Sequence, residues 1–548
     1  MAEGGVGRAS LLLASGTVVS RILGFVKTIV LANAVGVTSV SGNAIATATM
    51  LPNSIYVIVA GGVLNAVLVP QIVRAGLHLD GGRAYINKLV TIALVVLAGT
   101  AIVATLLAPL IVFLYASSYS SAQLALATAF AYWSIPQIFF YGMYTVLGEV
   151  LNARKSFGPY TWAPVLNNVV GIAGIVLFIV LFGADDGTRG TSFWTPAMIA
   201  IIGGSATLGI ASQAIVLFYF WRRIGLRYRP DFRWRGVGLG EAGRIASWTF
   251  AMLIVTQIAA LIETNIANTA GDSGAPSTFA LSTSWLVFML PHSIITLSIA
   301  TVYFTRMSEH GRPRSPGEGG GPDYGALRSD FSSAIRSIGL LIVLAAAVLI
   351  VVAYPFAAIY TDEFGEIQAV GNLIIAFVFG LVGFSVLFVV QRTFYALGDT
   401  RTPFFFTLFQ AILLSAGVVA CLLLPVEVRA LGIAVVTTVA GTAQLILAAV
   451  LLRRRIGGLG GRSFAPSMAK YIIAAFPALL VGLLVLWALG GTSDGGFGVS
   501  SKFGAILCMI VVGIAMALVY FVGLVMLRSP DLADAVAPVV RRLRRGRP

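Results

Sequence analysis

The sequence predicts an all-α, polytopic membrane protein of about fourteen transmembrane helices, arranged as two pseudo-repeated six-helix lobes plus two C-terminal helices. Three observations predict it. Of 548 residues, 58% are hydrophobic and 10% charged, whereas a soluble domain carries roughly 25% charge. Apolar stretches recur from end to end at about 20 residues, the length a helix needs to cross about 30 Å of hydrocarbon. Lys and Arg gather in alternate connections, as they do in loops retained in the cytoplasm.

The first eight spans are expected near residues 10 to 36, 43 to 73, 86 to 115, 121 to 151, 158 to 183, 195 to 221, 245 to 270 and 277 to 305. Six more follow near 331 to 354, 367 to 398, 402 to 424, 430 to 452, 468 to 490 and 502 to 527. The first span contains Arg21 and Lys27 and lacks a small-residue cleavage pattern, so it is expected to be a retained helix rather than a signal peptide. Even-numbered loops are basic: Arg222, Arg223, Arg227, Arg229, Arg233 and Arg235 share one, and Arg453, Arg454 and Arg455 another. Odd-numbered loops are short and hold only Arg189, Arg429 and Lys502. This asymmetry places both termini in the cytoplasm. The formal charge of +15 is then a topology signal and implies no nucleic-acid partner.

An internal repeat supports the two lobes. Leu51-Pro52-Asn53-Ser54-Ile55 recurs as Leu290-Pro291-His292-Ser293-Ile294, 239 residues later. The turn at Asn152-Ala153-Arg154 is echoed near Asp399-Thr400-Arg401. Similar halves are a transporter pattern, with a substrate site expected between them. The expected divisions are 1–230 and 231–460 for the lobes, 461–530 for the last two spans, and 531–548 for a basic tail suited to anionic headgroups. A Gly-rich stretch between Arg312 and Asp323 reads as a linker.

Charge within a span costs about 2.5 to 3.5 kcal/mol near a helix centre and so usually faces a cavity or a partner. Arg21, Lys27 and Glu263 are the positions of this kind. Six residues separate Arg21 from Lys27, about 600° of rotation and about 9 Å of rise, so the two flank one face. A guanidinium and an ammonium there would attract a pyrophosphate; the structural alternative has Lys27 snorkelling and Arg21 paired with Glu263 or Glu149. Glu263, with Gln257, Thr264 and Asn268 nearby in sequence, suits either a coupling sodium ion or proton or an ion pair. Glu149, Asn152, Arg154 and Lys155 lie at a helix end, where interfacial anchoring is cheap. Pro52 and Pro291 are expected to loosen their helices.

No enzyme constellation is apparent. Cys421 and Cys508, with His78, His292 and His310, lie too far apart for a disulfide framework or a zinc spacing. Gly238-Leu239-Gly240-Glu241-Ala242-Gly243 matches a dinucleotide pattern without a preceding strand. The acidic group Asp362, Glu363 and Glu366 sits in a short loop.

Four segments together resemble the MurJ (MviN) lipid II flippases: Ser20-Arg21-Ile22-Leu23-Gly24-Phe25; Leu51-Pro52-Asn53 with Leu68-Val69-Pro70; Leu151-Asn152 with Ala163-Pro164-Val165-Leu166-Asn167; and Phe394 to Pro403. The resemblance implies the multidrug, oligosaccharidyl-lipid and polysaccharide exporter fold in a bacterial cytoplasmic membrane. It also implies alternating access, a lipid-tail groove on the last two helices, and lipid II as substrate. No cofactor is implied beyond a coupling ion or the membrane potential; membrane lipids and cell-wall synthesis or division proteins are the expected partners. Arg21, Lys27, Asn53 and Asn152 are then the expected substrate contacts, Glu263 the coupling position, and Arg154, Asp399 and Arg401 a cytoplasmic gate or turn. Departures from the family pattern are Thr28, Tyr56, Val57, Gly61, Leu286, Leu414 and Val418, which make the pocket less basic and remove polar sodium ligands. They keep open a flippase for another polyprenyl-linked glycan and a non-transporting assembly scaffold. A drug-cation pump would favour an acidic cavity.

Overall fold

The computed structural model describes residues 3–60, 83–154, 156–184, 189–233, 239–312 and 321–533. Gly61, Leu68-Val69-Pro70, His78, Lys155, Arg235, most of the Gly-rich linker and the basic tail lie outside them, as does Gly238 of the dinucleotide-like run. The described residues form helices and connections without a strand. Twelve helices are long and apolar enough to cross a membrane, and one bent pair brings the candidates to thirteen. The expected span at 43 to 73 is described only as far as Ala60.

The chain divides into two compact units, Met1–Phe279 and Ala280–Pro548. In the first are α1 (Glu3–Val35), α2 (Val40–Val59), α3 (Arg83–Leu106), α4 (Ala108–Tyr115), α5 (Ser121–Ser134), α6 (Gln137–Ala153), α7 (Phe157–Phe182), α8 (Pro196–Arg223) and α9 (Leu239–Asn268). The sequence reading divided the lobes after residue 230; the compact unit extends through α9, which packs on α2 and α4. Helix α7 lies against α1 and α8, while α6 lies against α3 and α8. Leu89, Leu97, Leu147, Leu151, Leu217 and Trp221 fill the interface among α3, α6 and α8, and the Trp221 indole N–H donates to the Leu147 carbonyl at 3.1 Å.

Prolines set the breaks in this unit. Pro109, in the first turn of α4, divides the expected span 86 to 115 at Leu107, because a proline has no N–H and its ring crowds the preceding turn. Pro136 separates α5 from α6, and the break lies beside the Trp133 carbonyl. The Thr207 hydroxyl of α8 donates to that carbonyl at 2.6 Å, and the Gln137 amide donates to Thr207 at 2.8 Å. Neighbouring side chains thus bond the backbone beside the proline. Arg189 repairs two helix ends together: its guanidinium donates to the Ala34 carbonyl of α1 and to the Phe182 and Ala184 carbonyls at the end of α7.

The second unit contains α10 (Thr278–Pro291), a π turn at His292–Thr296, α11 (Leu297–His310), α12 (Tyr324–Val351), α13 (Ala353–Ala357), α14 (Phe364–Val378), α15 (Leu381–Ala396), α16 (Arg401–Ala420), α17 (Val426–Ile456), α18 (Gly461–Ala488) and α19 (Lys502–Met526). Helix α10 straddles the division at its first two residues. Pro291 opens directly onto the π turn, as expected, whereas Pro52 sits inside a continuous α2. Helices α14 and α15 bend by 41° at Gly380, and Thr438 of α17 donates to the Ala376 carbonyl beside the bend at 2.8 Å. Helix α18 packs on both α12 and α19, around buried Tyr471, Cys508, Met516 and Tyr520.

Candidate functional site

Lys27 lies two turns before the end of α1, and its side chain runs across Gly171 of α7. A methyl at Gly171 would come within 2.8 Å of Lys27 Cε and 3.0 Å of Nζ, so this glycine makes the groove in which the lysine lies. The ammonium reaches a cavity of about 210 Å³ within the first unit, among α1, α2, α5, α6, α7 and α8. Its polar lining is Thr49, Ser134, Gln137, Tyr141 and Ser205, and Lys27 is its one charged group. Thr49, Ser134 and Ser205 already donate to backbone carbonyls of Ile45, Ala48 and Ile202. Their oxygens are therefore left as acceptors. Lys27 itself has neither an ion pair nor a hydrogen bond among the described residues, so no carboxylate there offsets a positive charge on its amine. A cation is repelled there and an anion is attracted.

The other expected site residues are dispersed. Arg21 is half-buried, makes no ion pair among the described residues, and does not line the Lys27 cavity; the alternative of an Arg21 pair with Glu263 or Glu149 is not realised. Its neighbour Ser20 is tied to α7 through Asn168, whose amide donates to the Ser20 carbonyl at 2.8 Å. Asn53 is exposed on α2 and Asn152 half-buried at the end of α6. Glu263 is half-buried on α9 with no partner among the described residues.

Two of the groups near Glu263 in sequence are committed elsewhere. Asn268 accepts from the Tyr119 hydroxyl at 2.8 Å and from Thr278 at 2.6 Å, and its amide donates to Thr47 at 3.2 Å and to the Tyr115 carbonyl at 3.0 Å. Asn265 accepts from Ser117 and donates to the Leu114 carbonyl. These bonds join the end of α9 to α2 and to the α4–α5 turn, which makes Asn268 structural rather than an ion ligand. Thr264 lies against the Met50 sulfur, and the Gln257 carbonyl oxygen is buried without a partner.

The residues expected at a gate or turn also have local duties. The Asp399 carboxylate accepts from the Thr402 N–H at 2.9 Å and its hydroxyl at 2.7 Å, holding the first turn of α16. Arg401 lies over the Phe405 ring at 5.7 Å, and Arg154 caps α6 through its backbone. Among the departures from the family pattern, Tyr56 bonds Thr145 at 2.6 Å and tilts against Tyr141 at 5.7 Å. It offers an aromatic hydroxyl where a cation was expected.

The sequence reading did not find the cavity's neutral residues, nor the buried Asp330, which holds Arg306 at 2.8 Å and His310 at 2.8 Å between α11 and α12. Gly171 and Gln137 carry no sequence signal of their own. Their roles arise only from which helices adjoin α1.

Two units of membrane-length helices define a polytopic membrane protein. A family model described as "Lipid II flippase MurJ" matches residues 31–525. The chain belongs to that family. It is 25% identical over 455 residues to a "Probable lipid II flippase MurJ" of Rickettsia prowazekii (strain Madrid E), covering 79% of this chain and 81% of that protein. A solved lipid II flippase MurJ in an inward closed conformation has a similar fold, with a TM-score of 0.70 at 17% identity over 94% of this chain and 99% of that one. An inward-facing multidrug resistance MATE transporter of the MOP superfamily is similar at a TM-score of 0.60 and 16% identity, covering 80% of this chain and 96% of that one.

Proposed function

We propose that this protein moves lipid II from the cytoplasmic to the outer leaflet of a bacterial cytoplasmic membrane by alternating access, supplying peptidoglycan synthesis. The observation that carries the reading, together with family membership, is the uncompensated Lys27 ammonium inside the first unit. A transporter for a pyrophosphate-bearing lipid needs a cation whose charge is not already satisfied, and a structural lysine would have been paired. Arg21 is the second such cation on α1. Both termini lie on the cytoplasmic side, with the polyprenyl tail following α18 and α19.

The coupling group is Glu263. With Asn265 and Asn268 committed to helix contacts, the Gln257 oxygen alone of these neighbouring amides is left for a sodium ion, and a proton is the favoured ion. A ligand shifts a two-state equilibrium only through differential affinity, so Glu263 must differ in protonation between the two states.

The deciding experiment measures outer-leaflet lipid II with an added enzyme that cleaves only the exposed molecule. Cells depleted of the protein should lose the signal, wild type should restore it, and Arg21→Ala should not. The neutral Tyr56 favours a second reading, a flippase for another polyprenyl-linked glycan. Unchanged lipid II exposure with internal accumulation of another lipid-linked sugar would select it.

A further inference from the structure

Beyond the end of α8 the chain turns back through residues 224–233, and this turn gathers three arginines at one cavity. The cavity measures about 560 Å³; Arg222, Arg227 and Arg229 line it together with Phe218, Trp221 and Tyr228. A topology signal requires only that such a loop be basic. It does not require a fixed backbone or convergence.

The backbone here is fixed. Gly225 adopts φ 78°, a left-handed conformation that a side chain disfavours. This lets the Leu226 N–H reach the Trp221 carbonyl at 3.0 Å. Trp221 and Leu226 are buried at 1% and 4% exposure. The outgoing strand of the turn is strapped to α3: the Tyr228 hydroxyl lies 3.1 Å from that of Thr91, the Arg229 N–H donates to Asn87 at 3.3 Å, and the Asp231 N–H donates to Thr91 at 3.0 Å.

Among the described residues the charge at the cavity is also unopposed, and no carboxylate lines it. Asp231, the turn's own acid, is taken by Arg233 through contacts of 3.1 and 3.2 Å, and those bonds hold its carboxyl below the usual carboxylate range. The side chains of Arg222, Arg227 and Arg229 have no ion pair among the described residues.

We propose that this cavity is a phosphoryl-anion site, separate from the Lys27 cavity. Its ligand is the phosphodiester of an anionic lipid headgroup or, from the aqueous side, a soluble phosphate. Guanidinium groups bind two phosphate oxygens at once, and a tyrosine such as Tyr228 favours the headgroup level. The volume leaves room for a glycerol as well as a phosphate, which favours the lipid.

The test uses the purified full chain in a zwitterionic nanodisc and three probes: dihexanoyl phosphatidylglycerol, dihexanoyl phosphatidylcholine and inorganic phosphate. Binding is compared among wild type, Arg222→Gln/Arg227→Gln/Arg229→Gln, and Arg453→Gln/Arg454→Gln/Arg455→Gln, which removes equal charge from the last turn of α17. At about fivefold per arginine, the first triple variant should lose on the order of a hundredfold in phosphatidylglycerol binding, while the α17 variant stays near wild type. Phosphatidylcholine should bind weakly to all three. Binding of inorganic phosphate alone, lost in the first variant, would assign the soluble source. Equal losses in both variants, or no loss in either, would overturn the site. Should the first triple variant fail to fold, Arg227→Gln, exposed in the turn, serves in its place with an expected fivefold loss.

Discussion

Lys27 costs stability because nothing offsets its buried charge, and the same property makes it useful for capturing an anion. Replacing it with a methionine of similar length should remove the desolvation penalty and raise unfolding stability by about 1 to 3 kcal/mol, while abolishing transport. Thermal unfolding in detergent, alongside the outer-leaflet lipid II measurement, checks both halves. A methionine variant that unfolds earlier than wild type would show Lys27 to be structural. Asn268 is the opposite case, a polar residue with every partner present. Asn268→Ala strands Thr278 and takes one bond from Thr47, which keeps Tyr119, and should cost about 2 kcal/mol; the same denaturation experiment reads it.

Helix starts in this protein recur as a local device. Ser39 accepts from the Gly42 N–H at 2.8 Å at the start of α2, and Ser501 accepts from the Gly504 N–H at 3.1 Å at the start of α19. At both glycines a methyl would overlap a backbone carbonyl, that of Gly36 or Phe497. Backbone cannot rotate away as a side-chain end can. Gly42→Ala and Gly504→Ala should therefore each destabilise by about 1 to 3 kcal/mol, against roughly 0.5 to 1 kcal/mol gained by alanine in an open helix interior. A stabilised variant at either position would refute the close approach. Asp399 performs a comparable task for α16 by accepting from Thr402, at the turn the sequence places near Asp399-Thr400-Arg401.

For the whole molecule, the open question is what drives the exchange of conformations. If Glu263 carries the coupling proton, conformational populations of the purified protein should shift as pH is varied across neutrality and should not respond to sodium. Glu263→Gln should abolish the pH response; double electron–electron resonance between spin labels on the two units would measure it. A sodium response at fixed pH would sink the proton assignment. The sequence by itself determined the all-helical membrane class, nearly every span and the family, because each is written locally: apolar length is set by bilayer thickness, breaks by proline, and family by contiguous motifs around Arg21, Pro52, Asn152 and Asp399. It also marked Lys27 and Glu263, since charge in an apolar run is conspicuous. Only the tertiary structure decided that Lys27 lies alone in a neutral cavity against Gly171, that Asn268 is a helix clamp, and that Arg222 at the end of α8 shares one cavity with Arg227 and Arg229 of the following turn. Those facts depend on which helix faces which, and neutral side chains of distant segments leave no local mark of where they will meet.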